Sequence, residues 1–457
     1  MPQIYFDITE VLLYVQDNNT LSGIQRVALE LLRQMVEKHG TERIRVIGFH
    51  PVLERVICYD AGYFSNSFTF EADRFREDFD RSLTLSQYIH KRYGRTWKAP
   101  LYWLGKGLKN FATRGAYFKR RRIGGGKRNG PKTTKLVQTE DFRFQRGDVV
   151  FVAGGTWDLT NHNAFLAARR RADGIVIIHC IYDLIPIVAP EHVENILCSR
   201  FLAWLQHISQ NADGFLTISA ATKVDLDSWL QGHGVVVNSR VLPLAHQFGN
   251  ARRTLTDASH RGRFDPGISA QIRNAARLPY VLCVGTIESR KNVWALANVW
   301  KSLYERLKDA TPRLIFAGKH GWLKQDFDNF LHGTGSLYGY IRVVDRPSDA
   351  DLEFLYRSCL FSVYVSYMEG WGLPIGECLW FGRPVVCSNV SSMPEVGGSL
   401  VEYADPTSHA SIEAAVSRLI TDVDYRERRA AEIAAAHLRT WGDVADDLWS
   451  ELNAPGG

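Results

Sequence analysis

The sequence predicts an α/β protein of two domains, each with a parallel sheet and crossover helices. Two observations predict it. The chain has 457 residues, too many for one ordinary core, so two domains are the default. Short apolar runs also alternate with stretches of helical period, a pattern that requires parallel strands joined by helices. A hydrophobic content of 45% and a charged content of 23% are those of a globular chain.

In order, Ile4 to Asp7 reads as a first short strand, and Asn18-Asn19-Thr20 as a turn. Ser22 and Gly23 open a helix whose apolar residues (Ile24, Val27, Ala28, Leu31, Met35) recur at helical spacing up to Gly40. Ser22 can cap it, Gly23 lets another group approach its start, and Arg26 lies in its first turn. Ile44 to Phe49 is a second strand, while Tyr63 to His90 shows no readable pattern. Strands follow at Val149 to Ala153, Ile175 to His179, Gly214 to Ile218 and Val235 to Leu242. A helix from about Asn163 to Arg171 and a Leu- and Trp-rich helix, Asn195 to Gln210, separate them. Gly249 to Ala276 is polar and aperiodic and reads as an interdomain linker. A second set of strands runs Tyr280 to Val284, Arg313 to Ala317, Ile341 to Val344, Phe361 to Val365 and Pro384 to Cys387. Tyr425 to Leu452 is helical in pattern and is expected to pack back on the body. The expected boundaries are 1–248, 249–424 and 425–457.

Composition narrows the function. Seven cysteines, without CxxC spacing, argue for reduced thiols and against a zinc site or a disulfide framework. The N-terminus has no basic leader, with Asp7 and Glu10 early, and no apolar run reaches the roughly 20 residues that span a bilayer. The expected location is cytoplasmic, at the inner face of the plasma membrane. From Lys91 to Lys135 there are fifteen Lys or Arg and no acid. The whole chain carries only +6, so the positive charge is one local patch. Interleaved Trp97, Leu101, Trp103 and Leu104 make that insertion a candidate contact for an anionic membrane, or else a solvated loop. No module for reading nucleic acid accompanies it.

The stretch Ser366 to Pro384, SYMEGWGLPIGECLWFGRP, carries the chemistry. Seven residues separate Glu369 from Glu377, with Gly370, Gly372 and Pro374 between them. Pro374 suits the first residue of a helix, which places Glu377 in its first turn and Gly382 at its stop. Such a helix start, approached by small residues, is a ready phosphate site.

These residues resemble a family. EGWGLPIGE, with FGRPVV and SSMPEVGG after it, is similar to the nucleotide-sugar site of retaining glycosyltransferase family 4. VGTIESRKN at Val284 to Asn292 resembles that family's diphosphate loop, and SGIQRV at Ser22 to Val27 its N-terminal glycine loop. YDLIP at Tyr182 to Pro186, ADGFLTIS and LPLAH complete the order of the acceptor half. The resemblance implies two Rossmann-like domains facing across a cleft, with acceptor on the first and donor on the second. It implies transfer from a nucleotide diphosphate sugar to a lipid-linked or polysaccharide acceptor, with retention and without a metal or other cofactor. Arg290 and Lys291 would neutralise the diphosphate. Gly23 and Gly372, Leu373 and Pro374 would border it. Glu369 would hold the donor sugar and Glu377 the ribose, with Asp183 facing them as the second catalytic residue. The loop resembles those of mannosyl transferases, which makes GDP-mannose the lead donor; UDP- or dTDP-sugars, or a non-catalytic nucleotide-sugar scaffold, are the alternatives. Three positions depart from the family's pattern: Tyr182 where relatives carry histidine, Thr286 where many carry arginine, and Ala245 where glycine is frequent. His179, four residues from Asp183, could face the strand end or be a buried core histidine, and Trp157 and Trp371 could stack on sugars or pack.

Overall fold

The computed structural model describes residues 2–50, 54–65, 68, 70–79, 142–253 and 267–454. The basic insertion expected at 91–135 lies outside them, as does part of the expected linker. The described residues build two sheets. The first has strands β1 (Ile4–Asp7), β2 (Ile44–His50), β3 (Arg55–Tyr59), β4 (Val149–Val152), β5 (Val176–Ile181), β6 (Gly214–Thr217) and β7 (Asn238–Val241), in the order β3-β2-β1-β4-β5-β6-β7. All neighbours pair parallel except β3, an antiparallel edge on β2. The second has β8 (Tyr280–Val284), β9 (Arg313–Ala317), β10 (Ile341–Val344), β11 (Ser362–Tyr364), β12 (Val385–Ser388) and β13 (Glu402–Ala404), in the order β10-β9-β8-β11-β12-β13, all parallel.

Both sheets are doubly wound, so each reverses its strand order once, between β1 and β4 and between β8 and β11. Ligands of such sheets bind outside the carboxyl ends of the strands at that reversal. The loops after β8 and β11 carry Arg290, Lys291 and Glu369, and so meet at the reversal of the second sheet. The last helix, Trp441–Asn453, returns to the first domain and lies on the helix Gly23–His39. Trp441 is fully buried there, and its indole N–H donates to the Gln247 carbonyl at 3.0 Å.

Several elements differ from expectation. A helix, Thr9–Asp17, leaves β1 directly, and the Asp7 carboxylate accepts its Thr9 N–H at 2.8 Å. The helix Ala72–Phe79 belongs to the stretch that showed no pattern, and packs by an aromatic cluster of Tyr63, Phe64, Phe68, Phe75 and Phe79. In the central stretch the helix is Leu373–Trp380, capped by Gly372 at φ 107°. Pro374 is therefore its second residue, and Glu377 lies in the second turn rather than the first.

Candidate active site

The site is best built from Glu369. Its loop leaves β11 and is pinned from the SSMPEVGG segment. Ser391 and Ser392 hydroxyls both donate to the Glu369 carbonyl, at 2.7 and 2.9 Å, and Ser392 also reaches the Trp371 carbonyl at 2.8 Å. The side chain turns toward the loop after β8. One carboxylate oxygen meets the Lys291 ammonium at 2.5 Å and the other the Arg290 guanidinium at 2.9 Å. Burial by itself would raise the Glu369 carboxyl, but Arg290 and Lys291 outweigh it and hold it down at about 2. Arg290 also pairs with Glu288 at 2.8 Å and donates to the Met368 carbonyl at 2.7 Å. Lys291 is bonded to the Tyr364 hydroxyl as well, and burial lowers its pKa against the pull of Glu369. The two expected diphosphate cations are thus already matched by carboxylates within the protein.

Glycine lets the loops come this close. A Cβ on Gly318 would lie 2.0 Å from the Gly285 carbonyl oxygen. Gly285 has φ +143° and runs beside the Lys291 stem, where a Cβ would sit 3.4 Å from Cε.

Asp183 arrives from the opposite domain, after β5. Its carboxylate accepts the Ile185 N–H at 3.0 Å, which opens the short helix Ile185–Val188. Burial raises its pKa, while Arg290 and Lys291 draw it down and Glu369 pushes it up. Asp183 thus feels the charges of all three groups across the cleft. The contact that brings it there is tight: a Cβ on Gly370 would stand 2.0 Å from the Tyr182 carbonyl oxygen and 3.1 Å from the Asp183 Cβ. The first glycine of EGWG and the tyrosine of YDLIP therefore touch across the cleft. The Tyr182 hydroxyl points the other way and donates to the Ala153 carbonyl at 2.6 Å. A similar approach joins the LPLAH segment to the helix Leu373–Trp380, where a Cβ on Gly376 would lie 2.9 Å from the His246 Cα.

The expected donor-side residues Gly23, Gly372, Leu373 and Pro374 lie together. A Cβ added to the exposed Gly23 would meet only Leu373 Cδ1, at 3.8 Å. Glu377, expected to hold the ribose, already has two partners within the protein. One oxygen is held by Arg26 Nη1 at 2.8 Å and the other by the Tyr356 hydroxyl at 2.7 Å.

His179 does not face the cleft. It is buried against Trp204 and Phe215, on the sheet face covered by the helices Thr160–Asp173 and Asn195–Asn211. Burial, aided by His162, pushes it down to about 3. Trp157 packs on Phe201 and Trp204, at 5.8 and 5.9 Å between ring centroids, and Trp371 is buried in the main core.

Sequence reasoning missed several groups. His192 stacks on Tyr367 at 5.4 Å, its Nδ1 lies 3.2 Å from Ser289 Oγ, and its carbonyl accepts the Trp322 indole N–H at 2.9 Å. Glu395 accepts the Ala220 and Ala221 N–H groups at 2.7 and 2.8 Å, capping a first-domain helix from the second domain. Glu10 stands where β1 meets its helix. Gln25 donates to one of its oxygens; the other is buried and, among the described residues, without a partner. Burial lifts this carboxyl to about 7. Among the described residues no three His, Cys, Asp or Glu are grouped to hold a metal ion, and no helix is long and apolar enough to cross a membrane.

Residues 266–436 match the family model described as glycosyl transferases group 1. The chain is 38% identical over 163 residues to the O-antigen chain mannosyltransferase B of Escherichia coli, covering 35% of this chain and 42% of that protein. It is 24% identical over 313 residues to the serotype-specific mannosyltransferase WbdA of Escherichia coli, covering 68% of this chain and 38% of that one. The matched region thus spans about two fifths of the length of these relatives. Among solved structures, Anabaena Alr3699/HepE in complex with UDP and glucose superposes with a TM-score of 0.56 over 100% of both chains at 12% identity. An Escherichia coli trehalose-6-phosphate structure bound with UDP-2-fluoro glucose gives 0.51 over 68% of this chain and 74% of that one, at 13% identity. At these identities the likeness establishes a shared fold.

Proposed function

We propose that this chain, whose residues 266–436 are a group 1 glycosyl transferase domain, moves a sugar from a nucleoside diphosphate sugar onto a glycan acceptor. The lead donor is GDP-mannose, and the anomeric configuration is retained. The observation that carries the reading is the meeting of Arg290, Lys291 and Glu369 at the strand-order reversal of the second sheet, with Asp183 facing them from the first. The two curated relatives, both mannosyltransferases by name, support the choice of mannose and of a surface glycan as acceptor.

The diphosphate takes Arg290 and Lys291 as partners and lies against the start of the helix Leu373–Trp380, at its positive dipole end. Glu369, released from those cations, turns to the sugar hydroxyls, and Glu377 takes the ribose. Cleavage of the bond from the anomeric carbon to the phosphate oxygen leaves its electrons on the diphosphate. Fixed cations stabilise that charge more in the transition state than in the ground state, so no metal is required. The acceptor oxygen forms its bond on the same face, and its proton passes to the leaving phosphate oxygen. Asp183 holds the acceptor hydroxyl beside the donor sugar. A lipid-linked acceptor at the inner membrane face, met by the basic segment 91–135, completes the proposal.

A panel of nucleotide sugars tests it by melting temperature and by release of nucleoside diphosphate. GDP-mannose is expected to raise the melting temperature and to turn over with a mannan-type acceptor. A response to UDP- or dTDP-sugars alone would change the donor. Binding without any turnover would favour a non-catalytic scaffold, and no response to any donor would contradict the reading.

A further inference from the structure

The N-terminal ends of two helices meet across the cleft, one from each domain. In the helix Gly23–His39, Gly23 and Arg26 lie three residues apart and share a face. In the helix Leu373–Trp380, Leu373 and Glu377 lie four apart and share a face too. These faces are opposed, with Gly23 set against Leu373 and Arg26 against Glu377.

Arg26 is the polar centre of that contact. Its Nη1 lies 2.8 Å from one Glu377 oxygen and its Nη2 3.1 Å from Asp349. The guanidinium rests 5.5 Å from the Phe248 ring centroid. The Glu377 side chain is 4% exposed, the Arg26 side chain 19% and that of Asp349 74%. Bridging two carboxylates in this way needs the planar fork of an arginine and lies beyond a lysine's single ammonium. Tyr356 holds the other Glu377 oxygen from the donor domain itself. A carboxylate has about four acceptor positions on its two oxygens. Among the described residues two are used, which leaves two for hydroxyl groups. With Tyr356 alone the carboxylate could still swing about that one bond; with Arg26 on the second oxygen its plane is set.

We propose that Arg26 is a positioning residue that fixes the Glu377 carboxylate for the donor ribose from across the cleft, so that donor affinity depends on the domains being together. The inference rests on the functional reading above. Neither the donor helix nor its glutamate is complete for this task within its own domain.

The test is calorimetric binding of GDP and of UDP to the full chain and to Arg26→Ala, Arg26→Lys, Glu377→Gln and the double variant Arg26→Ala/Glu377→Gln. Arg26→Ala is expected to weaken binding of the cognate nucleotide about tenfold, Arg26→Lys to fall between, and the double variant to match Glu377→Gln alone. In turnover, Arg26→Ala is expected to raise the donor KM with kcat nearly unchanged. Should the alanine variant fail to fold by circular dichroism, Arg26→Lys carries the same comparison. Unchanged or tighter nucleotide binding in a folded Arg26 variant would overturn the inference and leave the functional reading standing. Additive losses in the double variant would overturn it in the same way. A wild-type chain that binds neither nucleotide would overturn the functional reading, and this inference with it.

Discussion

Two ionisable residues of the first domain, Glu10 and the buried His179, act in opposite directions on stability. Glu10 is lifted by burial to about 7, so the folded state keeps a proton that the unfolded chain loses near pH 4.5. Its contribution is present below that point and is lost as pH rises toward about 7. His179 is pushed down to about 3, so the folded state refuses a proton that the unfolded chain accepts near pH 6.5. Its contribution is present above pH 6.5 and is lost as pH falls toward about 3. Where those windows overlap, from about pH 4.5 to about 6.5, the two slopes oppose one another. Denaturant titrations across this range are expected to show the separation. Glu10→Gln should make stability rise with pH by up to about 1.4 kcal/mol per unit relative to wild type, and His179→Asn should do the reverse. Parallel curves for all three proteins would contradict the burial argument. At this scale the sequence disclosed what lies close along the chain. Glu369, Arg290 and Lys291 could be singled out because each sits in a short pattern of residue types, and the fold brings the three together. Arg26 stood in a helix start with no visible partner, because Glu377 is 351 residues away. Glu395 and His192 were illegible for the same reason: their partners belong to the other domain.

At the scale of elements, strands were readable and their junctions less so. β8, β9 and β10 stand where their apolar runs predicted. The helix Thr9–Asp17 was missed because it follows β1 without a turn, held by Asp7 rather than by a cap of its own. β3 was missed because a five-residue antiparallel edge strand is defined by its partner β2. The placement of Glu377 one residue further into its helix follows from Gly372, whose left-handed backbone serves as the cap just ahead of Leu373. Gly370 of EGWG and Gly376 of PIGE were read as loop and helix residues, and both let one domain touch the other. Gly370→Ala would set a Cβ 2.0 Å from the Tyr182 carbonyl oxygen. Backbone against side chain leaves no rotamer to relieve it, so a loss of about 1–3 kcal/mol is expected, with activity falling at least tenfold. Gly23→Ala, whose added Cβ would meet only Leu373 at 3.8 Å, is expected to cost less than about 1 kcal/mol. Equal losses of stability for the two variants would argue that the close approach at Gly370 does not hold the domains.

At the scale of the molecule, two doubly wound sheets present their strand-order reversals to one another, and the last helix ties the second domain back to the first. The cleft between them carries a charge arrangement that the motifs alone did not foretell. Arg290 and Lys291 read from sequence as free cations awaiting a diphosphate. In the folded chain they are held by Glu369, with Glu288 also on Arg290. The proposed function makes exchange of partners its central step: the donor diphosphate would take the cations, and the carboxylate they release would turn to the sugar. The most direct test is the response of Glu369→Gln to the donor's nucleoside diphosphate, which lacks the sugar. Removing one partner of a buried ion pair costs about 3–5 kcal/mol, so the variant should melt well below wild type. It should also gain a larger rise in melting temperature from GDP, or from UDP if that is the cognate nucleotide, while transferring no sugar. A smaller nucleotide-induced rise than wild type, or transfer at the wild-type rate, would contradict the exchange.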